Sequence, residues 1–289
     1  MLRLAVATDA ETLERIADPL AERGIEATHV PTTKRAQPLS EPFVEGTFDA
    51  GFVYPARPME GGVADALLGV PWVNDRQAVL RSRNKAGTLA RLDRAGVPTL
   101  ESVYVSNPVG GSELRAAFER LDPPVVVKPN STTRGIGIAK AHDLDSFLGI
   151  CDYLSLIHDY RAADDRSFLV QEFLPDARDF RVMVVDGEYA GAVERRLGAA
   201  DREAGRWKHN VHRGATADGV ELSDERRRLA ERAARELGID WLGVDLLVSG
   251  DRVVVNETNA RPTVDDASKY EPEFYDRLAG LIRRTAEGG

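Results

Sequence analysis

Two β-hairpins separated by one amphipathic helix fill the C-terminal third of the chain, and they constrain the fold more than any other feature. "DFRVMVVDGEYAGAVERR" carries Asp186-Gly187 between alternating apolar runs, the turn signal of an antiparallel hairpin. "SDERRRLAERAARELG" then sets Leu229, Ala233 and Leu237 on one helical stripe that Gly238 closes. "WLGVDLLVSGDRVVVNETN" reads as the second hairpin.

The end of that second hairpin, "VVVNETNARP", is unusual. Three valines promise a core strand, and Asn256, Glu257 and Asn259 then arrive at its end. Alternation along a strand puts Glu257 and Asn259 on one face. With an odd-length loop centred on Gly250, Asp245 opposes Val255 and shares that face. Three oxygen-bearing side chains then converge, a set suited to a hard divalent cation beside phosphates and, lacking histidine and cysteine, unsuited to zinc. A solvated hairpin end is the competing reading, weakened by the apolar residues on both strands.

Upstream, "LRLAVAT", a helix over Glu11 to Arg23, "EATHV" and "DAGFVYP" alternate as strand and helix, which predicts a small α/β unit with parallel strands. A second unit opens near Gln77. Its helix "NKAGTLARLDRAGVP" stops at Gly96, and "SELRAAFERL" starts from Ser112 as N-cap. "PVVVKPN" and "IGIAKA" are strands around the turn "STTRG", and "DSFLGICDYLSLI" is a largely buried helix. "SFLVQEFL" heads the third unit. The domains expected are residues 1–76, 77–167 and 168–289.

Further clusters carry weaker signals. "VVVKPNSTTRGIGI" offers Lys128 and a G-x-G loop that could hold phosphates, yet it is neither a Walker loop nor a dinucleotide fingerprint, and a plain hairpin competes. In "FLVQEF" the strand breaks at Gln171-Glu172, where an exit can serve an adenine edge or simply end. "RWKHNVHRG" is basic at five positions, counting histidines, either an exposed loop or a clamp for phosphates.

The net charge of -9 argues against a general nucleic-acid binder. The single cysteine, Cys151, excludes an intramolecular disulfide. No segment has the roughly 18 apolar residues of a membrane span, and the opening "MLRLAVATDAE" is too short an apolar run for a signal peptide. A cytoplasmic protein is expected, and a homo-oligomer is left open.

The order of these clusters resembles that of ATP-grasp ligases. Lysine with its G-x-G hairpin, "VQEF", "DFR", "NVHRG", "GVD" and "NETNARP" follow in the same succession, and "LVQEF", "DFR", "ERR" and "NVHRG" are similar to the RimK-type α-L-glutamate ligases in particular. The likeness covers roughly residues 77 to 289. It implies an α/β protein, with a small N-terminal α/β domain followed by two α+β ATP-grasp subdomains that hold ATP between them.

Carried over residue by residue, the resemblance implies that Lys128 holds ATP phosphates, with Lys85 a second candidate. Glu172 and Phe173 would line the adenine pocket, Asp179 would stand near the nucleotide, and Lys208, His209 and Asn210 would line the triphosphate. Asp245, Glu257 and Asn259 would bind Mg²⁺ or Mn²⁺, as two ions, and Arg213 would be catalytic. The implied reaction joins an amino acid, glutamate first, to an acceptor carboxylate on a protein, carrier protein or coenzyme through an acyl phosphate. A nucleotide-binding scaffold without turnover is the alternative. The chain departs from the pattern at Thr132, Arg134 and Lys208, and in "NARPT", where Arg261 and Thr263 replace small residues.

Overall fold

The structure is a computed structural model that describes residues 1–8, 11–133, 135–158, 165–209, 211 and 214–288. Its strands form three sheets.

The first sheet holds β1 (Leu2–Val6), β2 (Ile25–His29) and β3 (Ala50–Phe52), parallel in the order β2-β1-β3, with α1 (Glu11–Ala21) between β1 and β2. The parallel unit expected from the sequence is present. Thr12, Ile16 and Leu20 recur every four residues and bury one stripe of α1. A helix that the sequence reading missed, α2 (Pro58–Leu68), follows β3.

Two helices then run in tandem, α3 (Arg76–Arg83), capped by the Asp75 carboxylate on the Ala78 N–H, and α4 (Lys85–Arg94), capped by Asn84 on the Gly87 N–H. Ala78, Val79, Leu92 and Val97 join the core beneath the C-terminal sheet, although the sequence reading placed this stretch in the middle unit.

The second sheet is antiparallel. It contains β4 (Ser102–Ser106), β5 (Val125–Pro129), β6 (Ala139–Ala141) and β7 (Ser167–Glu172) in the order β4-β7-β5-β6. α5 (Gly111–Glu119) and α6 (Leu144–His158) cover one face through Leu114, Phe118, Phe147 and Leu154. Three expectations change here. Gly110 is the N-cap of α5, and the Ser112 hydroxyl donates to Glu113 at 2.8 Å instead. α6 buries one stripe only, leaving Tyr153, Leu156 and Ile157 exposed. β7, read as the head of the third unit, pairs between β4 and β5, so a boundary at 167/168 falls inside a strand and the sheet changes after Glu172.

The third sheet contains β8 (Arg178–Val185), β9 (Glu188–Arg196), β10 (Thr216–Gly219), β11 (Trp241–Ser249) and β12 (Arg252–Asn259), antiparallel in the order β10-β9-β8-β11-β12. α7 (Ala199–Glu203) follows β9, α8 (Asp224–Leu237) precedes β11, and α9 (Phe274–Glu287) ends the described chain. Both expected hairpins and the amphipathic helix are where the sequence puts them. Val182, Val184, Leu242 and Val244 pack toward α8, α3 and α4. On the opposite face, Met183, Val185 and Trp241 pack under the first sheet and α9. Beyond that cover the same face turns charged, and the site begins there.

Candidate active site

Register brings the acidic residues together. The β11–β12 loop has two residues, Gly250 and Asp251, because Ser249 pairs with Arg252. Regular pairing from an even loop would set Asp245 against Asn256. A bulge between Asp245 and Leu246 skips Asn256, so Asp245 faces Glu257, not Val255 as the sequence reading expected. Directly opposed residues share a face, so the expected convergence is reached by a different route. Asn259 lies two residues along, opposite Gly243, and its Oδ1 accepts the Arg261 N–H at 2.9 Å.

Arg181 pairs with Asp245 across β8 and β11, and Arg195 pairs with Asp179 across β9 and β8. The Arg181 fork donates Nε to Oδ1 of Asp245 at 2.7 Å and Nη2 to Oδ2 at 2.8 Å. Arg195 Nη2 lies 3.0 Å from Oδ2 of Asp245 and 2.5 Å from Oδ1 of Asp179. Burial pushes the Asp245 carboxyl up, but two guanidiniums outweigh it and hold the group well below the usual carboxylate range. Asp179 has one of these arginines, shared, with Asp245 facing it, and burial raises its carboxyl above the ordinary value. His209 Nδ1 stands 3.8 Å from Asp179, with burial lowering the imidazole.

Two buried lysines close the other side. Lys85 begins α4, and its Nζ lies 3.6 Å from Oε1 of Glu257 while donating to the Thr132 carbonyl. Lys128 on β5 donates to Oδ1 of the bulged Asn256 at 2.7 Å. Burial pulls its ammonium down to about 8, against the opposing pull of Glu257. Four cations, Lys85, Lys128, Arg181 and Arg195, thus face three carboxylates, Asp179, Asp245 and Glu257. The surplus positive charge is held between β5 of one sheet and β8, β11 and β12 of the other, where a polyanion could bridge them.

The rest of the expected set lies near β7 and the loop after α7. Arg252 forks onto Glu172, with Nη1 2.6 Å from Oε2, and the same carboxylate accepts the Glu101 N–H at 2.7 Å. Glu172 is therefore committed to tying the β7 exit to β12, with the Phe173 ring next to it in the chain. That ring meets Trp207 edge-on at 5.7 Å, and Lys140 Nζ lies 4.5 Å above it. Lys208 donates to the Ile138 carbonyl in the loop before β6. Asn210 and Arg213 lie outside the described residues, as does Arg134.

The donor chemistry fits a hard cation. Asp245 and Glu257 face each other, Asn259 shares their face, and Oδ1 of Asp245 and both Glu257 oxygens keep a lone pair beyond their guanidinium or ammonium contacts. A Mg²⁺ or Mn²⁺ ion entering with a polyphosphate would be held by these three side chains. Arg181 lies in "DFR" and Arg195 in "ERR", and sequence reasoning assigns neither a role. Their signal was the strand spacing that carries each to an acidic partner.

Two antiparallel sheets meeting over a cleft of this charge pattern are the ATP-grasp architecture. The structure is similar over 99% of its length to the crystal structure of a RimK domain ATP-grasp protein from Sphaerobacter thermophilus DSM 20745, covering 98% of that chain with a TM-score of 0.68 at 23% identity. It is also similar to D-alanine–D-alanine ligase from Bacillus anthracis, with a TM-score of 0.69 at 15% identity over 100% of this chain and 98% of that one. The fold is thus the ATP-grasp fold, its first sheet included. The family model for the RimK-like ATP-grasp domain matches residues 82–273. A probable alpha-L-glutamate ligase of Klebsiella pneumoniae (strain 342) is 32% identical over 223 residues, covering 76% of this chain and 70% of that protein. One from Thioalkalivibrio sulfidiphilus (strain HL-EbGR7) is 30% identical over 208 residues, covering 69% and 62%. The chain belongs to the RimK-like ATP-grasp family, and with it to the ATP-dependent carboxylate–amine ligases.

Proposed function

We propose that this ligase joins an amino acid, glutamate first, to an acceptor carboxylate through an acyl phosphate, releasing ADP and phosphate. The observation that carries the reading is that four cations, two of them buried lysines, face three carboxylates where the two sheets meet. A triphosphate there would meet Lys85 and Lys128 from one side and the Arg181 and Arg195 guanidiniums from the other. Bound Mg²⁺ or Mn²⁺, two ions on the family pattern, would neutralise phosphate charge beside Asp245, Glu257 and Asn259.

An acceptor carboxylate oxygen would attack the γ-phosphorus, and the bond from phosphorus to the β–γ bridging oxygen would break to give ADP. The amine nitrogen would then attack the acyl carbon, the bond to the phosphate oxygen would break, and the amine proton would pass to solvent or a nearby base. Lys128 and Lys85 would bind and orient phosphate, with Lys208, His209 and Asn210 on the triphosphate and Asp179 near the nucleotide. Phe173, with main chain at Glu172, would face adenine. Arg213 is assigned to the charge that develops in transfer. The acceptor, on a protein, carrier protein or coenzyme, and a cytoplasmic setting belong to the same proposal.

The test is the product set. With ATP, Mg²⁺ and a panel of acidic acceptors and amino acids, ADP and phosphate should form, and hydroxylamine should trap the activated carboxylate as a hydroxamate. AMP and pyrophosphate would overturn the acyl-phosphate route. ATP binding without either product across the panel would favour the scaffold alternative.

A further inference from the structure

The chain crosses between the second and third sheets twice, and both crossings meet at Glu172. The first runs from Val97, in the core beneath the third sheet, to Ser102, where β4 begins. Its Pro98 carbonyl accepts the Val255 N–H of β12 at 2.9 Å, and its Glu101 N–H donates to Oε1 of Glu172 at 2.7 Å. The second runs from Glu172, the last residue of β7, to Arg178, the first of β8, with Phe173 as its opening residue. The tip of the β11–β12 hairpin holds this crossing at two points. Ser249 Oγ donates to the Pro175 carbonyl at 2.9 Å. Arg252, which pairs with Ser249 across the hairpin, forks onto Glu172 with Nη1 2.6 Å from Oε2.

Stability is a poor reason for that fork. The Arg252 side chain is 46% exposed, and an ion pair so open to water adds little to the fold. Position is a better one. Burial pushes the Glu172 carboxyl up, but the Arg252 fork and the Glu101 N–H outweigh it and hold the group below its ordinary value, so the carboxylate stays ionised and paired at neutral pH. The Glu101 carboxylate also acts on Arg252, but it is itself paired with Arg120 at 3.2 Å. Arg252 opens the strand whose other end carries Glu257 and Asn259. The fork therefore ties the residue before Phe173 to the strand of the candidate metal ligands.

We propose that Arg252 is a positioning residue for the nucleotide. Through Glu172 it sets the place of Phe173 relative to β12, so that one nucleotide meets its base contact and its phosphate contacts together. The inference rests on the ligase reading above, which puts adenine at Phe173 and the triphosphate beside the buried lysines. Arg252 itself touches no part of the nucleotide. Without the fork, the phosphate contacts remain and the base contact is misplaced.

Calorimetry on the full chain with Mg-ATP and with Mg-tripolyphosphate, which has the phosphates and no base, tests this. Arg252→Met should weaken Mg-ATP by about tenfold, within the range of couplings between contacting residues. Mg-tripolyphosphate affinity should stay unchanged, which also shows that the variant is folded. Arg252→Lys should recover part of the loss, since an ammonium cannot make the fork. Glu172→Gln should weaken Mg-ATP similarly, and Arg252→Met added to it should weaken it no further. The proposal is overturned if Arg252→Met keeps the wild-type ratio of the two affinities. It is equally overturned if the losses from Arg252→Met and Glu172→Gln multiply, because the arginine would then act on the nucleotide directly. Wild-type protein that fails to bind Mg-ATP would overturn the ligase reading, and this inference with it.

Discussion

Asp245 and Glu257 oppose each other across β11 and β12 because a bulge at Asn256 takes up one residue of register. The displaced residue is itself used, since its amide oxygen accepts from Lys128 on the other sheet at 2.7 Å. One irregularity thus aligns two candidate metal ligands and links the two sheets over the cleft.

The two carboxylates should respond differently to removal. Asp245→Ala leaves Arg181 and the deeply buried Arg195 without a shared counter-charge, and losing one partner of a buried pair costs about 3–5 kcal/mol. Glu257 is more exposed and meets one ammonium at 3.6 Å, without a bidentate contact, so Glu257→Ala should cost less than Asp245→Ala. Both should abolish ADP formation. Denaturant melts paired with product assays check this, and Asp245→Asn, which keeps the shape, separates lost chemistry from lost fold. Full activity in the asparagine variant would remove Asp245 from the site.

Trp207 should report nucleotide binding. It meets Phe173 edge-on at 5.7 Å, whereas the other two tryptophans, Trp72 and Trp241, are buried in cores away from the cleft. A base arriving at Phe173 must disturb this contact. Adding Mg-ATP should shift the emission, and Trp207→Phe should abolish the change while calorimetry still detects ATP. An undiminished signal in that variant would place the base elsewhere.

The acidic set was legible in the sequence because polar residues ending a valine strand near a core call for a partner. The path by which the register is reached was not, since a bulge is a backbone event with no side-chain signature at Asn256. Arg181 and Arg195 were hidden for another reason: alternating arginines on strands read as a solvated face until long-range pairing sets them against acids. α2 was concealed by Gly61 and Gly62, which lower helix propensity. Gly61 is needed there because a Cβ would sit 2.5 Å from Cε1 of Tyr54. β7 was misplaced because its partners, β4 and β5, are distant in sequence, and hairpin signals see only neighbours.

Arg195 should matter more to acid–base balance than to affinity for nucleotide. It bridges Asp179 and Asp245, and without it two buried carboxylates stand together with Arg181 alone. Burial already raises the Asp179 carboxyl, so its ionised form is the weaker of the two. Removing Arg195 raises Asp179 further above its unfolded value, as a carboxyl that protonates more readily folded than unfolded, and leaves Asp245 held down by Arg181 alone. A group raised in this way takes up a proton on folding, so Arg195→Met should lose stability at neutral pH, by about 3–5 kcal/mol, and recover part of it as pH falls toward 5. A wild-type-minus-variant stability difference that is flat between pH 5 and 8 would contradict this arrangement.

Lys128 gives the converse pH dependence. Burial lowers its ammonium to about 8 from an ordinary value of 10.5. Between these two values the unfolded chain binds the proton and the folded chain does not, so stability of the nucleotide-free protein rises as pH climbs from 8 to 10.5. Below 8 the buried charge is a standing cost, on the order of 3 kcal/mol at about 1.4 kcal/mol per unit. Lys128→Met removes that cost and leaves the Asn256 oxygen without its donor, a loss of about 1 kcal/mol. The variant should therefore melt higher than wild type at pH 7, with the advantage shrinking through pH 8 to 10. It should also bind ATP one to two decades more weakly, the scale of a charge-assisted contact of about 1.5–3 kcal/mol. In wild type a triphosphate bound beside Lys128 would restore the charge. ATP binding near pH 8.5 should therefore take up protons, seen as a buffer-dependent heat that Lys128→Met abolishes. A variant that is both less stable at pH 7 and unchanged in ATP affinity would mean that Lys128 serves the sheet rather than the nucleotide.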